Sequence, residues 1–299
     1  YVIPLGLLYG ISDAIYCLPI NVMMAEKIPK HTMNWFMGLK TTYKHIIKLL
    51  APVILGLFIE LSSFPKMAMF ILGLVLIEAI LIISMSPTKH IDKTKADILG
   101  FAHKMIQTPI IRKMFIMEVL RGLGIGLLIT IIPMYTVHIF HTNLNLGIFT
   151  TIFGACSIIT SRMLGKTKQR RTFARLLWLS VLTISWAITM FVGWPSSTTF
   201  LCYNFVYATS MLVLEHISNV NMFNLSQSKL IQEQHQTEYF VFRDFAIFIG
   251  RWIGFVGLMY IGVFGGYDWL RWYMIPITGA IILFGVTSYQ LNNKLGEIQ

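Results

Sequence analysis

The sequence predicts an all-α integral membrane protein with nine transmembrane helices. Of its 299 residues, 56% are apolar and only 12% are charged, which is about half the charged share of an ordinary soluble domain. So few charges cannot cover the surface of a soluble chain of this size. The composition therefore excludes a soluble enzyme, a secreted disulfide scaffold and a disordered tail.

The apolar residues fall into long runs, each close to the roughly 20 residues that a helix needs to cross the hydrocarbon core. The runs are too long for buried strands and lack the alternation of an outer-membrane barrel. Because helices satisfy their own backbone hydrogen bonds in lipid, each run is expected to be one helix. The predicted spans are residues 2–25, 41–60, 66–86, 114–139, 144–164, 172–193, 196–219, 239–264 and 269–291.

Loop charge predicts the orientation of these spans. Most of the 24 lysine and arginine residues lie in alternate loops, at 26–40, 87–113 and 162–175, whereas the opposite loops hold only Lys66 and Arg271. Loops rich in lysine and arginine stay in the cytoplasm. We therefore expect the amino end outside and the carboxyl end in the cytoplasm. The net charge of +11 then reflects orientation, and no nucleic-acid binding is expected.

The longest loop divides the chain into three predicted regions. Residues 1–86 hold three spans, and residues 87–113 form a basic cytoplasmic linker that ends in Thr108-Pro109. Residues 114–299 hold the remaining six spans. This division predicts a partial N-terminal helical bundle joined to a complete six-helix C-terminal bundle.

A short motif lies at the second span. Pro52 is expected to kink this helix, while Gly38 and Gly56 let another helix approach. The spacing of these three residues also resembles the antiporter motif of the major facilitator superfamily. Other residues replace the further glycines of that motif, at Ile47, Ala51 and Leu55.

The basic run from Ser161 to Arg171 resembles the second copy of that family's cytoplasmic-loop motif, without its acidic residue. Its alternative role is to orient the chain. With the three-plus-six arrangement, it makes the chain similar to a major facilitator protein that lacks its first three helices. The resemblance implies a secondary active transporter of a small molecule in the plasma membrane. It further implies proton coupling, with efflux by antiport as one form.

Asp13 is the first candidate for the substrate or proton pathway. It lies near the middle of the first span, where an ionisable group is costly unless it pairs or faces water. Tyr16, three residues further on, shares its helix face. The resemblance implies that this helix lines the central cavity, where Asp13 would bind a proton or a cation. A packing hydrogen bond or a structural ion pair is the alternative.

Arg251 is the second candidate, near the middle of the eighth span. Gly250 and Gly254 beside it would allow a close helix approach. Arg251 is expected to hold an anionic substrate or to pair with Asp13 across the two bundles. A structural pair within the C-terminal bundle is the alternative.

Four charged residues are predicted to form a cytoplasmic charge cluster. Glu118 and Arg121 are three residues apart and share a helix face, and Arg243 and Asp244 lie at the same depth on the eighth span. The resemblance implies that such a cluster latches the bundles together. Alternatively, the cluster packs helices together within one bundle. Contact with substrate is less favoured than the latch or the packing role.

Polar residues of the seventh span complete the candidate sites. Tyr203, Asn204 and Tyr207 are predicted to line the cavity. Glu215 and His216 are a candidate proton relay, because histidine titrates near neutral pH.

No sequence signature of an enzyme is found: HExxH, G-x-S-x-G, a P-loop and a cysteine–histidine cluster are all missing. We therefore expect no enzymatic activity, no cofactor, no metal and a gradient as the energy source. The expected partners are a small-molecule substrate, protons and the lipid bilayer. A membrane-embedded enzyme acting on lipid or isoprenoid is one alternative, although the carboxylates are scattered over several spans. A non-transporting fragment is the other.

Overall fold

The computed structural model describes residues 16–61, 63–84, 97–140, 143–167, 170–228, 230–231, 235–264 and 266–298. Every regular element among these residues is a helix, so the predicted all-α class is confirmed for this part of the chain. The helices in chain order are α1 (16–27), α2 (Lys30–Leu61), α3 (Phe64–Ser84), α4 (Ile98–Gln107), α5 (Pro109–Phe140), α6 (Asn143–Lys166), α7 (Arg170–Gly193), α8 (Ser197–Ser226), α9 (Gln236–Phe264) and α10 (Gly266–Ile298).

Three helical stretches in the described part are long and apolar enough to cross a membrane. They are Arg171–Gly193, Ser197–Ser226 and Trp272–Leu295, which belong to α7, α8 and α10. A shorter apolar stretch, Pro65–Ile77, lies in α3. The chain is therefore an all-helical protein with the composition of a membrane-embedded one. The described residues of each other predicted span from residue 41 onward also fall on a single helix, and residues 85 and 86 of the third span lie outside the described part. That these helices cross the bilayer stays a prediction.

Several helices are longer than the spans predicted from hydropathy. α2 begins at Lys30, well before the predicted start at residue 41, and α8 continues past residue 219 to Ser226. Hydropathy marks only the apolar part of a helix, whereas backbone hydrogen bonding continues into polar sequence. Of the first predicted span, only the part in α1 is described.

The segment predicted as a linker contains a helix of its own. Asp97 caps α4, since its Oδ1 accepts a hydrogen bond from the backbone N–H of Gly100 at 2.8 Å. Phe101 is 1% exposed and packs against Phe242 of α9, with ring centroids 5.5 Å apart. α5 then begins at Pro109, a position that proline favours because the first helical turn does not need its N–H. Residues 97–113 are thus docked on α9 and continuous with α5.

The C-terminal helices form a continuous packed set. α5 packs on α9 and α10, α10 on α7, α7 on α8, and α8 on α6. The α5–α9 contact is close because a Cβ atom at Gly122 would collide with the backbone of Ile247, and one at Gly250 with the backbone of Val119. The predicted close approach at Gly250 is therefore present.

α2 joins this set from the N-terminal side. Its closest partner is α6, where a Cβ atom at Gly38 would overlap the backbone of Gly165. α2 also packs on α8, and it contacts α3 over a smaller area. The helix continues through Pro52 and Gly56, whose surroundings lie outside the described part of the structure. The α2–α6 contact is where the two predicted bundles meet.

Candidate functional site

A buried charge cluster joins α5, α8 and α9. Glu118 is 0% exposed, and its Oε2 lies 3.3 Å from Arg121 Nη1 while its Oε1 lies 4.0 Å from Arg243 Nε. Arg243 Nη1 contacts Asp244 Oδ1 at 3.1 Å. The structure thus brings together all four residues of the predicted charge cluster: Glu118, Arg121, Arg243 and Asp244.

α8 adds two residues to this cluster that the sequence did not assign to it. Arg121 Nη1 donates to Asn219 Oδ1 at 2.9 Å, and Arg121 Nη2 lies 3.8 Å from Glu215 Oε1. A buried arginine needs several such partners to offset its desolvation. The ion pairs that join Arg121 and Arg243 to Glu118, Glu215 and Asp244 lie within α5, α8 and α9. The cluster therefore ties C-terminal helices to one another.

α2 presents a row of cations beside this cluster. Lys40, Lys44 and Lys48 are spaced four residues apart, so they follow one face of the helix. Glu215 attracts Lys48, and desolvation lowers the pKa of Lys40, with repulsion from Arg243 and Lys44 adding to it. We call these three residues the lysine row.

The lysine row lines a groove with a volume of about 580 Å³. Phe36, Leu39, Tyr43 and Ile47 supply its apolar walls. This volume lies within the range of small-molecule sites in proteins. All of these lining residues belong to α2, and the surface of the groove is almost wholly apolar, so the lysines line it with their methylene chains and carry their charges at its rim. The groove is a candidate substrate pathway along this face of α2.

A second group of contacts joins α2 to the ends of α6 and α8 that are predicted to be cytoplasmic. Asn34 Nδ2 donates to the carbonyl oxygens of Leu164, Gly165 and Thr167 at 3.1, 3.2 and 2.7 Å. Asn34 Oδ1 lies 2.8 Å from Nε2 of His216, which is 2% exposed. Asn34 therefore caps the last carbonyls of α6 and reaches α8 with the same side chain.

Three further hydrogen bonds extend this contact. Thr42 Oγ1 and Ser161 Oγ are 2.8 Å apart, and Gln227 Nε2 donates to the carbonyl oxygens of Ala25 and Ile28 at 2.6 and 2.7 Å. We call this set the polar seam. Its residues are Asn34, Thr42, Ser161, His216 and Gln227.

The predicted Glu215–His216 relay is not assembled as a pair. Glu215 turns to Arg121, whereas His216 turns to Asn34 on α2. Neighbouring residues on a helix point about 100° apart, so adjacency in sequence separates their partners.

The predicted ladder of the seventh span is largely enclosed. Tyr203 and Asn204 are 1% and 4% exposed, and the Tyr203 ring stacks between Phe191 and Tyr207 with centroids 5.8 and 6.0 Å away. Side chains so enclosed do not line an open cavity in this conformation. Tyr207 is half-buried.

The remaining candidates lie apart from these contacts. The Arg251 side chain is exposed on α9, next to Trp252, which is 62% exposed, so the structure places it outside the packed C-terminal core. Tyr16 is 47% exposed on α1. Asp13 lies outside the described residues, as does any pair it would form with Arg251.

Within the described residues, histidine, cysteine, aspartate and glutamate form no group of three or more that could hold a metal. No protein-family model matches this chain, and neither a characterised protein nor a solved structure shows significant similarity to it. Functional inference therefore depends on the groove, the charge cluster and the polar seam themselves.

Proposed function

We propose that this chain is a secondary active transporter of a small molecule, similar in architecture to the major facilitator superfamily. The observation that carries the proposal is the polar seam. It closes one end of the contact between α1–α2 and the C-terminal helices, next to a groove lined with lysines. A transporter needs a site between two helix groups and a closure that opens on one side at a time.

The finer topology belongs to the same proposal. Nine helices cross the plasma membrane, with the carboxyl end in the cytoplasm. The first three belong to an N-terminal helix group and the last six to a C-terminal one. The three apolar stretches in α7, α8 and α10 support the C-terminal part of this topology. The basic loops support the orientation.

We expect the polar seam to open during transport. Its side-chain hydrogen bonds are each worth about 1 kcal/mol net. Opening also separates the close backbone contact of α2 and α6 at Gly38 and Gly165, so the binding of substrate or of a proton must offset both. The α5–α9 contact is held by close backbone packing at Gly122 and Gly250 and is expected to move as one body.

The groove favours an anionic substrate. The lysine row supplies three cations beside the groove, and none of the described residues that line it is a carboxylate. The excess charge attracts anions into the groove. The apolar walls would contact the body of an organic molecule.

Proton coupling is assigned to Asp13. An ionised aspartate in mid-span costs several kcal/mol unless it is paired or hydrated, so its protonation state would change with access to water. Asp13→Asn should keep expression and fold, abolish uphill transport of the substrate and still permit downhill exchange. Uphill transport at the wild-type rate with unchanged pH dependence would reduce Asp13 to a packing residue.

A distance measurement tests the proposed function without knowledge of the substrate. Cys17, Cys156 and Cys202 are replaced by serine, and spin labels are placed on Lys27→Cys and Arg162→Cys, two exposed sites on either side of the seam. In liposomes we expect two distance populations whose ratio changes with a proton gradient. A single distance, insensitive to the gradient, would contradict transport by alternating access.

A second label pair provides the control. Leu182→Cys on α7 and Leu283→Cys on α10 are exposed and belong to neighbouring C-terminal helices. This pair should show one distance under every condition, because both sites move with the same helix group.

A further inference from the structure

A second cavity, distinct from the lysine groove, lies at the polar seam. It has a volume of about 750 Å³ and is walled by α2, α6, α7, α8 and α10. Because α2 belongs to the N-terminal group and the other four helices to the C-terminal group, a molecule that fills the cavity touches both sides of the seam. We call it the seam pocket.

Two buried amides in the seam pocket have donors without partners. Asn221 on α8 and Asn292 on α10 are each 4% exposed, and their Nδ2 atoms make no hydrogen bond within the described structure. A buried donor that stays unpaired costs about 1–3 kcal/mol. The Oδ1 atom of Asn224, in the same cavity, is a buried acceptor without a partner within the described structure. The two donors and this acceptor together indicate a ligand that carries acceptor oxygens and a hydroxyl donor, as a singly protonated phosphate does.

The charge of the seam pocket selects an anion. Lys30 and Lys166 line it, and none of its lining residues is a carboxylate. The first turn of α2, at Lys30, His31 and Thr32, faces this cavity, but so do the last turns of α6, α8 and α10, so the helix ends together do not favour an anion. The two lysines and the unpaired amide donors favour a group such as a phosphate.

The size and walls of the seam pocket exclude a bare ion as the natural occupant. Trp35, Phe173 and Leu295 provide apolar and aromatic surface, and the volume fits a small organic molecule rather than inorganic phosphate alone. Trp35 is 58% exposed, which leaves its ring free to contact a planar or apolar body.

We propose that the seam pocket binds a phosphate group carried on an apolar body, with Asn221, Asn292, Lys30 and Lys166 as its ligands. Soluble phosphate esters and lipid headgroups share this chemistry. A ligand that bridges α2 to α6, α8 and α10 would bind the closed seam better than the open one, and so would hold it closed. That regulatory effect rests on the proposed transport function, whereas the binding itself does not.

Binding is measured with 1-naphthyl phosphate as the probe and neutral 1-naphthol as its matched comparison. The full chain is placed in phosphatidylcholine nanodiscs for equilibrium dialysis. We expect the phosphate to bind in a salt-dependent manner and the alcohol not to bind specifically. Lys166→Gln and Asn292→Leu should each weaken binding about tenfold, as expected for loss of a charge-assisted or buried hydrogen bond.

Arg162→Gln is the matched control, since Arg162 carries the same charge one turn earlier on α6 and does not line the pocket. It should bind the probe as the wild type does. Equal binding of phosphate and alcohol, or wild-type affinity in both Lys166→Gln and Asn292→Leu, would overturn the proposal. Lys166 is exposed, so its variant keeps the test valid even if Asn292→Leu unfolds.

Nanodiscs containing phosphatidic acid separate the two sources of the phosphate. If this lipid displaces the probe from the wild type but not from Lys166→Gln, the natural ligand is a lipid headgroup. If the lipid does not reduce binding of the probe, the natural ligand is a soluble phosphate ester. The Lys27–Arg162 label pair then reads the effect on the seam. Binding of the probe together with one fixed distance for that pair would support the phosphate site and contradict the proposed transport function. Two distance populations without binding of the probe would contradict the phosphate site and leave the proposed transport function supported.

Discussion

Two cationic regions of this chain lie side by side and are built in opposite ways. In the charge cluster, Arg121 and Arg243 are 12% and 11% exposed, and each lies within 4.0 Å of two carboxylates. On α2, Lys44 and Lys48 are exposed along a groove, and no ion pair within 4.0 Å among the described residues includes them.

The difference separates structural charge from charge that is available to a ligand. Cations that are buried with their partners hold helices together, because removing either partner leaves the other as an unpaired charge in a medium of low polarity. Cations in excess along an accessible groove keep their attraction for a mobile anion. Sequence position alone would have grouped Arg121 and Lys48 as similar intramembrane cations.

The largest expected effect concerns the cluster. Glu118→Ala should lower the free energy of unfolding by about 3–5 kcal/mol, because it leaves Arg121 and Arg243 without their shared buried partner. Denaturation in mixed micelles measures this change. Asp244→Asn, at a side chain that is 40% exposed, should cost less than about 1 kcal/mol. If the two substitutions lowered the free energy of unfolding equally, burial would not explain the importance of Glu118.

The next effect tests the rigidity of the helices that carry the cluster. Gly250→Ala should destabilise the protein by about 1–3 kcal/mol, because the new methyl group meets the backbone of Val119 on α5. Gly279→Ala on α10 is its matched control, since nothing lies within 4 Å of the added Cβ. A thermal unfolding scan compares the two. If both variants unfold at the same temperature, the close contact at Gly250 does not hold α5 and α9 together.

A smaller effect is expected at the polar seam, measured as a change of population. Asn34→Ala removes the cap on α6 and the contact with His216. The population of the open state should therefore rise about tenfold relative to that of the closed state. The Lys27–Arg162 label pair reports the ratio. Thr32→Ala, which loses only a local bond to the Pro29 carbonyl, should leave it unchanged. An unaltered ratio in Asn34→Ala would show that Asn34 does not close the seam.

The smallest effect on stability is expected in the lysine row. Lys44→Gln should change the free energy of unfolding by no more than about 0.5 kcal/mol, because no described ion pair depends on it. The same substitution should reduce the uptake of anionic substrates into liposomes severalfold while leaving neutral solutes unaffected. A large loss of stability in Lys44→Gln would show that the lysine row, like the charge cluster, holds the helices together.

The candidate site was predictable where its residues recur at helical spacing or depth. Glu118 and Arg121 are three residues apart, and Arg243 and Asp244 fall at the same predicted depth, so their grouping could be predicted from the sequence. The lysine row carried a similar signal in its spacing of four, but Lys40 was assigned to a loop because hydropathy placed the start of the helix at residue 41.

The residues that no sequence pattern revealed are those whose partners come from distant helices. Asn34 binds the end of α6 and His216, which are more than 120 residues away along the chain. Asn219 and Glu215 join Arg121 from α8 in the same way. A single polar residue gives no periodic signal, and its partner depends on which helix packs beside it.

The sequence by itself determined that this chain is helical and apolar enough for a membrane, where the apolar parts of its long helices lie, and which segments between them carry positive charge. These properties follow from composition and local periodicity, which act within one helix at a time. Only the tertiary structure decided that α2 packs on α6 through Gly38 and Gly165, and that Glu215 and His216 face different partners. The physical reason is that many apolar helices offer similar faces, so their pairing is set by close backbone approach and by the few polar groups that must find partners.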